Sequence, residues 1–174
     1  MELVPCFAFV TFLAVVLIAV SASPAFAAGI FETAKNAMQT VYTLTGQTVN
    51  PQTTCAFSIQ NGEYVSGVGT AHSFIGNAAS NWGLTCERVG KDRMDYVVQS
   101  LKEGKMVVEI CEAYTITGSG SGHFIVLTGV TRDGYITIAD CASRERSTKV
   151  YSVDTIKSYG RDLSAGAFWI IGKK

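Results

Sequence analysis

The apolar positions of this chain change their spacing part-way along. From Glu32 to Thr45, Ala34, Met38, Val41 and Tyr42 recur near helical spacing, and Gly46 follows the expected helix end. A short helix is expected over Thr54–Gln60, closed by the turn signal Asn61-Gly62. Residues 62–69, rich in glycine, read as a loop. A further helix is expected from Thr70 as N-cap to Gly83, with Phe74, Ile75, Ala78 and Trp82 on its inner face. Asp92–Glu103 repeats the pattern through Met94, Val97, Val98 and Leu101, and Gly104 stops it.

Beyond Gly104 the pattern becomes that of strands. Met106–Ile110 is a short apolar run, and Ser119–Gly122 is a glycine-serine loop. His123–Val130 is rich in β-branched residues and meets Asp133-Gly134, a strong hairpin signal because glycine supplies the positive φ. Tyr135–Ala139 forms the return strand; Val150–Val153 and Phe168–Ile171 supply two more. Helices first and antiparallel strands second predict an α+β class, with N-terminal helices packed on an antiparallel sheet.

The first residues follow neither pattern. No charge occurs from Leu3 to Phe31, and Phe7–Val20 is almost wholly apolar. Ala25 and Ala27 then give the small-x-small signature of a signal-peptide cleavage site. Residues 1–27 therefore read as a secretory signal cut after Ala27, and residues 28–174 as one domain. The only charge before the apolar run is Glu2, where a signal normally carries Lys or Arg. The competing reading is an uncleaved anchor holding residues 3–27 in a membrane. Both place the domain outside the cytoplasmic membrane, secreted or extracytoplasmic.

The 14 Lys+Arg balance the 14 Asp+Glu, so no basic surplus points to nucleic acid. With 48% hydrophobic residues the chain is neither disordered nor a coiled coil. Cys55, Cys86, Cys111 and Cys141 permit three pairings into two disulfides, or four buried thiols. No Cys-x-x-Cys occurs and there are only 2 His, so neither a metal site nor a cofactor is expected.

One pair stands out chemically. His123 opens a strand and Asp140 closes its hairpin partner, which brings imidazole and carboxylate within hydrogen-bond reach. A base oriented by a carboxylate is what a nucleophilic hydrolase needs. The bland alternative is a structural His–Asp hydrogen bond. The segment Gly122-His123-Phe124-Ile125-Val126-Leu127-Thr128-Gly129-Val130, then Asp133-Gly134 and Ile138-Ala139-Asp140, resembles the His and Asp half of papain-like cysteine peptidases of the bacteriocin-processing type. Leu44-Thr45-Gly46-Gln47, Gly69–Ile75 and Asn81-Trp82-Gly83-Leu84 resemble the family's earlier sections. The resemblance implies a papain-like fold, His123 and Asp140 as catalytic partners, and a peptide or protein segment as ligand.

The nucleophile half departs from that pattern. The family's Cys-Gly-Pro would fall near Glu32, where the chain reads Ile30-Phe31-Glu32-Thr33-Ala34-Lys35. Cys55 is a weak substitute, since nothing places it at a helix start beside the histidine; Thr33 is better explained as an ordinary first-turn residue. His72 and Gly122 are expected to line a substrate groove. Two readings follow: an exported peptidase-like domain without peptidase activity that binds peptides or nothing, or an active thiol peptidase acting through His123 and Asp140 with its cysteine placed elsewhere or missing from this sequence.

Overall fold

The computed structural model describes residues 44–47, 49–65, 69–112, 115–116, 118 and 122–174. The expected signal or anchor, most of the first helix, Glu32, Thr33 and residues 119–121 of the glycine-serine loop lie outside these. Leu44 and Thr45 are helical, and Gly46 follows at φ +72°.

Helix α1 spans Pro51–Gln60, starting earlier than the apolar spacing implied. The Asn50 side chain caps it by accepting from the Thr53 N–H at 2.8 Å, and Pro51 occupies the first turn, where its missing N–H costs nothing. The expected loop holds a small antiparallel hairpin, β1 (Tyr64–Val65) with β2 (Gly69–Thr70). Thr70 is therefore a strand residue and not a cap; α2 spans Ser73–Asn81 and begins after His72, which makes no capping bond.

Strand β3 (Leu84–Val89) was not expected, because Thr85, Cys86, Glu87 and Arg88 interrupt its apolar ends. A 3-10 turn at Lys91–Arg93 leads into α3 (Met94–Lys102), whose Met94, Val97 and Leu101 are buried as the spacing predicts. The remaining strands are β4 (Met106–Cys111), β5 (His123–Val130), β6 (Ile136–Ala139), β7 (Val150–Tyr151) and β8 (Phe168–Lys173). Two short helices interleave, α4 (Arg144–Ser147) and α5 (Val153–Tyr159). The expected strand over Val150–Val153 stops at Tyr151 because Ser152 caps α5, its Oγ accepting from the Thr155 N–H at 3.1 Å. Helices and strands thus alternate more than a two-block reading allows, within the same α+β class.

The six-stranded sheet runs β3-β8-β4-β5-β6-β7, with every neighbouring pair antiparallel. Its centre is dry. All six residues of β4 are buried, which requires cover on both faces. Helix α2 packs on β3 and β8, and α3 packs across β4, β5 and β8. Gly166 lets the chain enter β8: at φ +96° it sits so close to the Val89 backbone that any Cβ would collide with that carbonyl.

Candidate functional site

The β5–β6 hairpin brings together the two residues that the sequence singled out. His123 opens β5 and Asp140 directly follows β6. Their side chains meet at 2.9 Å, His123 Nε2 to Asp140 Oδ1. Both residues are buried, at 2% and 5% exposure.

Asp140 is held by more than the histidine. Its Oδ1 also accepts from the Ala142 N–H at 2.8 Å, the usual aspartate turn two residues on. Its Oδ2 accepts from Arg146 Nε. Ser143 caps α4, its Oγ accepting from the Arg146 N–H at 3.1 Å, and this one-turn helix presents both Arg146 and Ser147 to the aspartate. The Asp140 N–H donates to Ser147 Oγ at 2.8 Å. Burial alone would raise the Asp140 pKa; the His123, Arg146 and Ala142 hydrogen bonds outweigh it and hold it at about 2. An ionised carboxylate only accepts, so the His123 proton facing it sits on Nε2, and Nδ1 is the ring atom for exchanging a proton with a nucleophile.

The thiols answer poorly to that base. Cys111 lies directly opposite His123 across β4 and β5, a neighbour that the sequence reading did not identify. It is fully buried, and burial, with the Glu109 and Asp140 charges, pushes its pKa up. Burial also raises Cys86, to about 11, against the pull of Arg88. Cys55 lies in the middle of α1, a helix that packs on α2 and β1. None of these positions supplies the helix N-terminus and adjacent cation that stabilise a thiolate. Among the described residues, Cys55, Cys86, Cys111 and Cys141 form no disulfide with one another. Among the described residues no group of three His, Cys, Asp or Glu is placed to hold a metal, and no helix is long and apolar enough to cross a membrane.

Glu109 also escaped the sequence reading. It sits on the central strand with zero exposure, and among the described residues neither carboxyl oxygen has a hydrogen-bond partner. Burial drives its pKa well above the ordinary value, against the pull of Lys91, and so favours the protonated carboxyl.

The two expected groove residues lie at the same end of the sheet as His123. Gly122 is exposed immediately before β5. The half-buried His72 ring sits edge-on to Phe124 at 6.2 Å and to Trp169 at 5.8 Å. Burial, then the Arg88 and Arg161 charges, lower its pKa.

The family model described as Peptidase_C39 like family matches residues 21–165. Among solved structures, the peptidase domain of Streptococcus ComA, a bi-functional ABC transporter involved in a quorum sensing pathway, is similar at TM-score 0.55 and 16% identity, over 83% of this chain and 93% of that one. The N-terminal peptidase C39 like domain of the toxin secretion ATP-binding protein from Vibrio parahaemolyticus has TM-score 0.46 and 12% identity, over 84% of this chain and 97% of that one. No curated protein sequence matches the chain.

Proposed function

This chain belongs to the Peptidase_C39 like family, and from that premise we propose that it is an exported peptide-binding domain that keeps the peptidase fold without hydrolysing its ligand. The observation that carries this reading is the mismatch between base and nucleophile. The His123–Asp140 pair is in place at 2.9 Å, while the half-buried Cys86 and the fully buried Cys111 both have raised pKa values. The sequence has no cysteine from Phe7 to Thr54, where the fold's first helix would carry one. Arg146 adds to the case. It shares the Asp140 charge, which leaves less of that charge to stabilise an imidazolium, the state that an ion-paired thiolate requires. Residues 1–27 supply the export signal or, uncleaved, an anchor.

The test is incubation of the purified protein with a peptide library under reducing conditions, read by mass spectrometry, with and without a thiol alkylator. Intact peptides in both arms are expected. Alkylator-sensitive cleavage overturns the inactive reading, and the labelled cysteine then names the nucleophile.

A further inference from the structure

The start of β5 carries a second cluster, on the face of the sheet opposite the His123 imidazole. Alternation along the strand turns Phe124 away from the His123 side. Phe124 and Trp169 of β8 stand with ring centroids 6.2 Å apart, and His72 bridges them from the start of α2. Arg88 is the cross-strand partner of Trp169 and lays its guanidinium over the indole at 4.3 Å. Its Nε donates to the Gly166 carbonyl at 3.0 Å, which fixes the plane of the fork. Arg161 arrives from beyond α5: its Nη1 lies 3.5 Å from where a Gly122 Cβ would stand, and its side chain is 44% exposed.

The charges here are poorly balanced. Among the described residues no carboxylate pairs with Arg88. Among the described residues the one carboxylate near the Arg161 Nε is Glu112 at 3.9 Å, a long and half-exposed pair of the kind that contributes little. The ring of His72 adds no cation at neutral pH, because burial and the two arginines hold it uncharged. Two guanidinium groups therefore flank an aromatic surface, one of them pre-set by stacking. A planar fork of this kind matches a carboxylate, and the preformed plane lowers the ordering cost of binding.

We infer that this patch binds the side-chain carboxylate of an Asp or Glu in a bound peptide, with Arg88 and Arg161 as donors and Phe124 and His72 receiving an adjacent apolar side chain. The inference rests on the peptide-binding reading above. It goes further by naming the chemistry selected and the residues that select it.

The test uses the whole protein and an end-blocked peptide library. Asp or Glu should be enriched among the captured peptides. Matched pairs of the captured sequences, Glu in one and Gln in the other, are then compared by fluorescence anisotropy. The Glu peptide should bind about tenfold more tightly. That preference should shrink as salt rises, and Arg161→Gln or Arg88→Gln should abolish most of it. Arg161 is exposed, so if Arg88→Gln fails to fold the Arg161→Gln comparison decides alone. Equal affinity for the Glu and Gln peptides overturns the carboxylate site and leaves peptide binding standing. Capture confined to a parallel library with free C-termini overturns the side-chain assignment. Capture of no peptide at all overturns the peptide-binding reading itself, and the site with it.

Discussion

Asp140 stays ionised inside the protein because His123, Arg146 and Ala142 each donate to it. Its pKa of about 2, against 3.8 unperturbed, has a fixed sign for stability. A carboxylate depressed on folding stabilises the native state fully above its unfolded pKa, and that contribution is lost as pH falls through the folded value. About 2 kcal/mol is therefore expected to disappear between roughly pH 4 and pH 2. Urea unfolding at stepped pH measures it, and Asp140→Asn should remove that slope while lowering stability at neutral pH. An unchanged slope in the variant would assign the acid loss to other groups. The His123–Asp140 contact was legible in the sequence because Asp133-Gly134 fixes a hairpin, and a hairpin places the start of one strand beside the end of the next. Arg146 was not legible. It reaches the aspartate through a four-residue helix too short to show periodicity. Cys111 escaped because its nearness to His123 depends on the β4–β5 register, across a long connection that no turn signal defines.

Among the elements, those with strong punctuation were readable. The α3 stripe ends at Gly104, and β5 is rich in β-branched residues. Strand β3 was not, since its pattern is polar between buried ends, as suits a sheet edge where a charged face discourages further pairing. The β1–β2 hairpin hid among glycines that read equally well as a loop. Entry into β8 gives the sharpest test at this scale. Gly166→Ala must break both a positive φ and a backbone contact with Val89, so a loss of at least about 2 kcal/mol is expected. Gly134→Ala, in an open turn at φ +84° with nothing within 4 Å, should cost about 1 kcal/mol. Denaturant midpoints for the two variants check the ranking, and similar losses would mean that the close approach at Val89 relaxes easily.

For the whole molecule, the class could be read from the sequence but the order of its parts could not. Fold class follows from periodicity, whereas strand order depends on which edges find each other in space. The sheet built this way buries Glu109 at its centre, and that has a global cost. Its pKa is raised on folding, so its contribution is fully present below its unfolded pKa and fades as pH rises toward the folded value. Stability should therefore fall above about pH 4.5, by up to roughly 1.4 kcal/mol per pH unit until Glu109 itself ionises. Glu109→Gln should flatten that limb in chemical denaturation run at several pH values. A limb that persists in the variant would place the burden on another group. With Asp140 acting in the opposite sense, the native state is squeezed from both sides.

The position of β8 has a different kind of consequence. It is the last strand in sequence, yet it stands between β3 and β4 and is, among the described residues, the one strand that β3 pairs with. While a ribosome is still making residues 168–173, β3 has no partner there and one edge of β4 lies bare. Such a chain cannot close its sheet early, because the pairs that close it, from Leu84↔Lys173 to Val89↔Phe168, lie far apart in sequence. If the chain is exported as proposed and crosses a membrane unfolded, this late keystone would postpone closure until the far side has been reached.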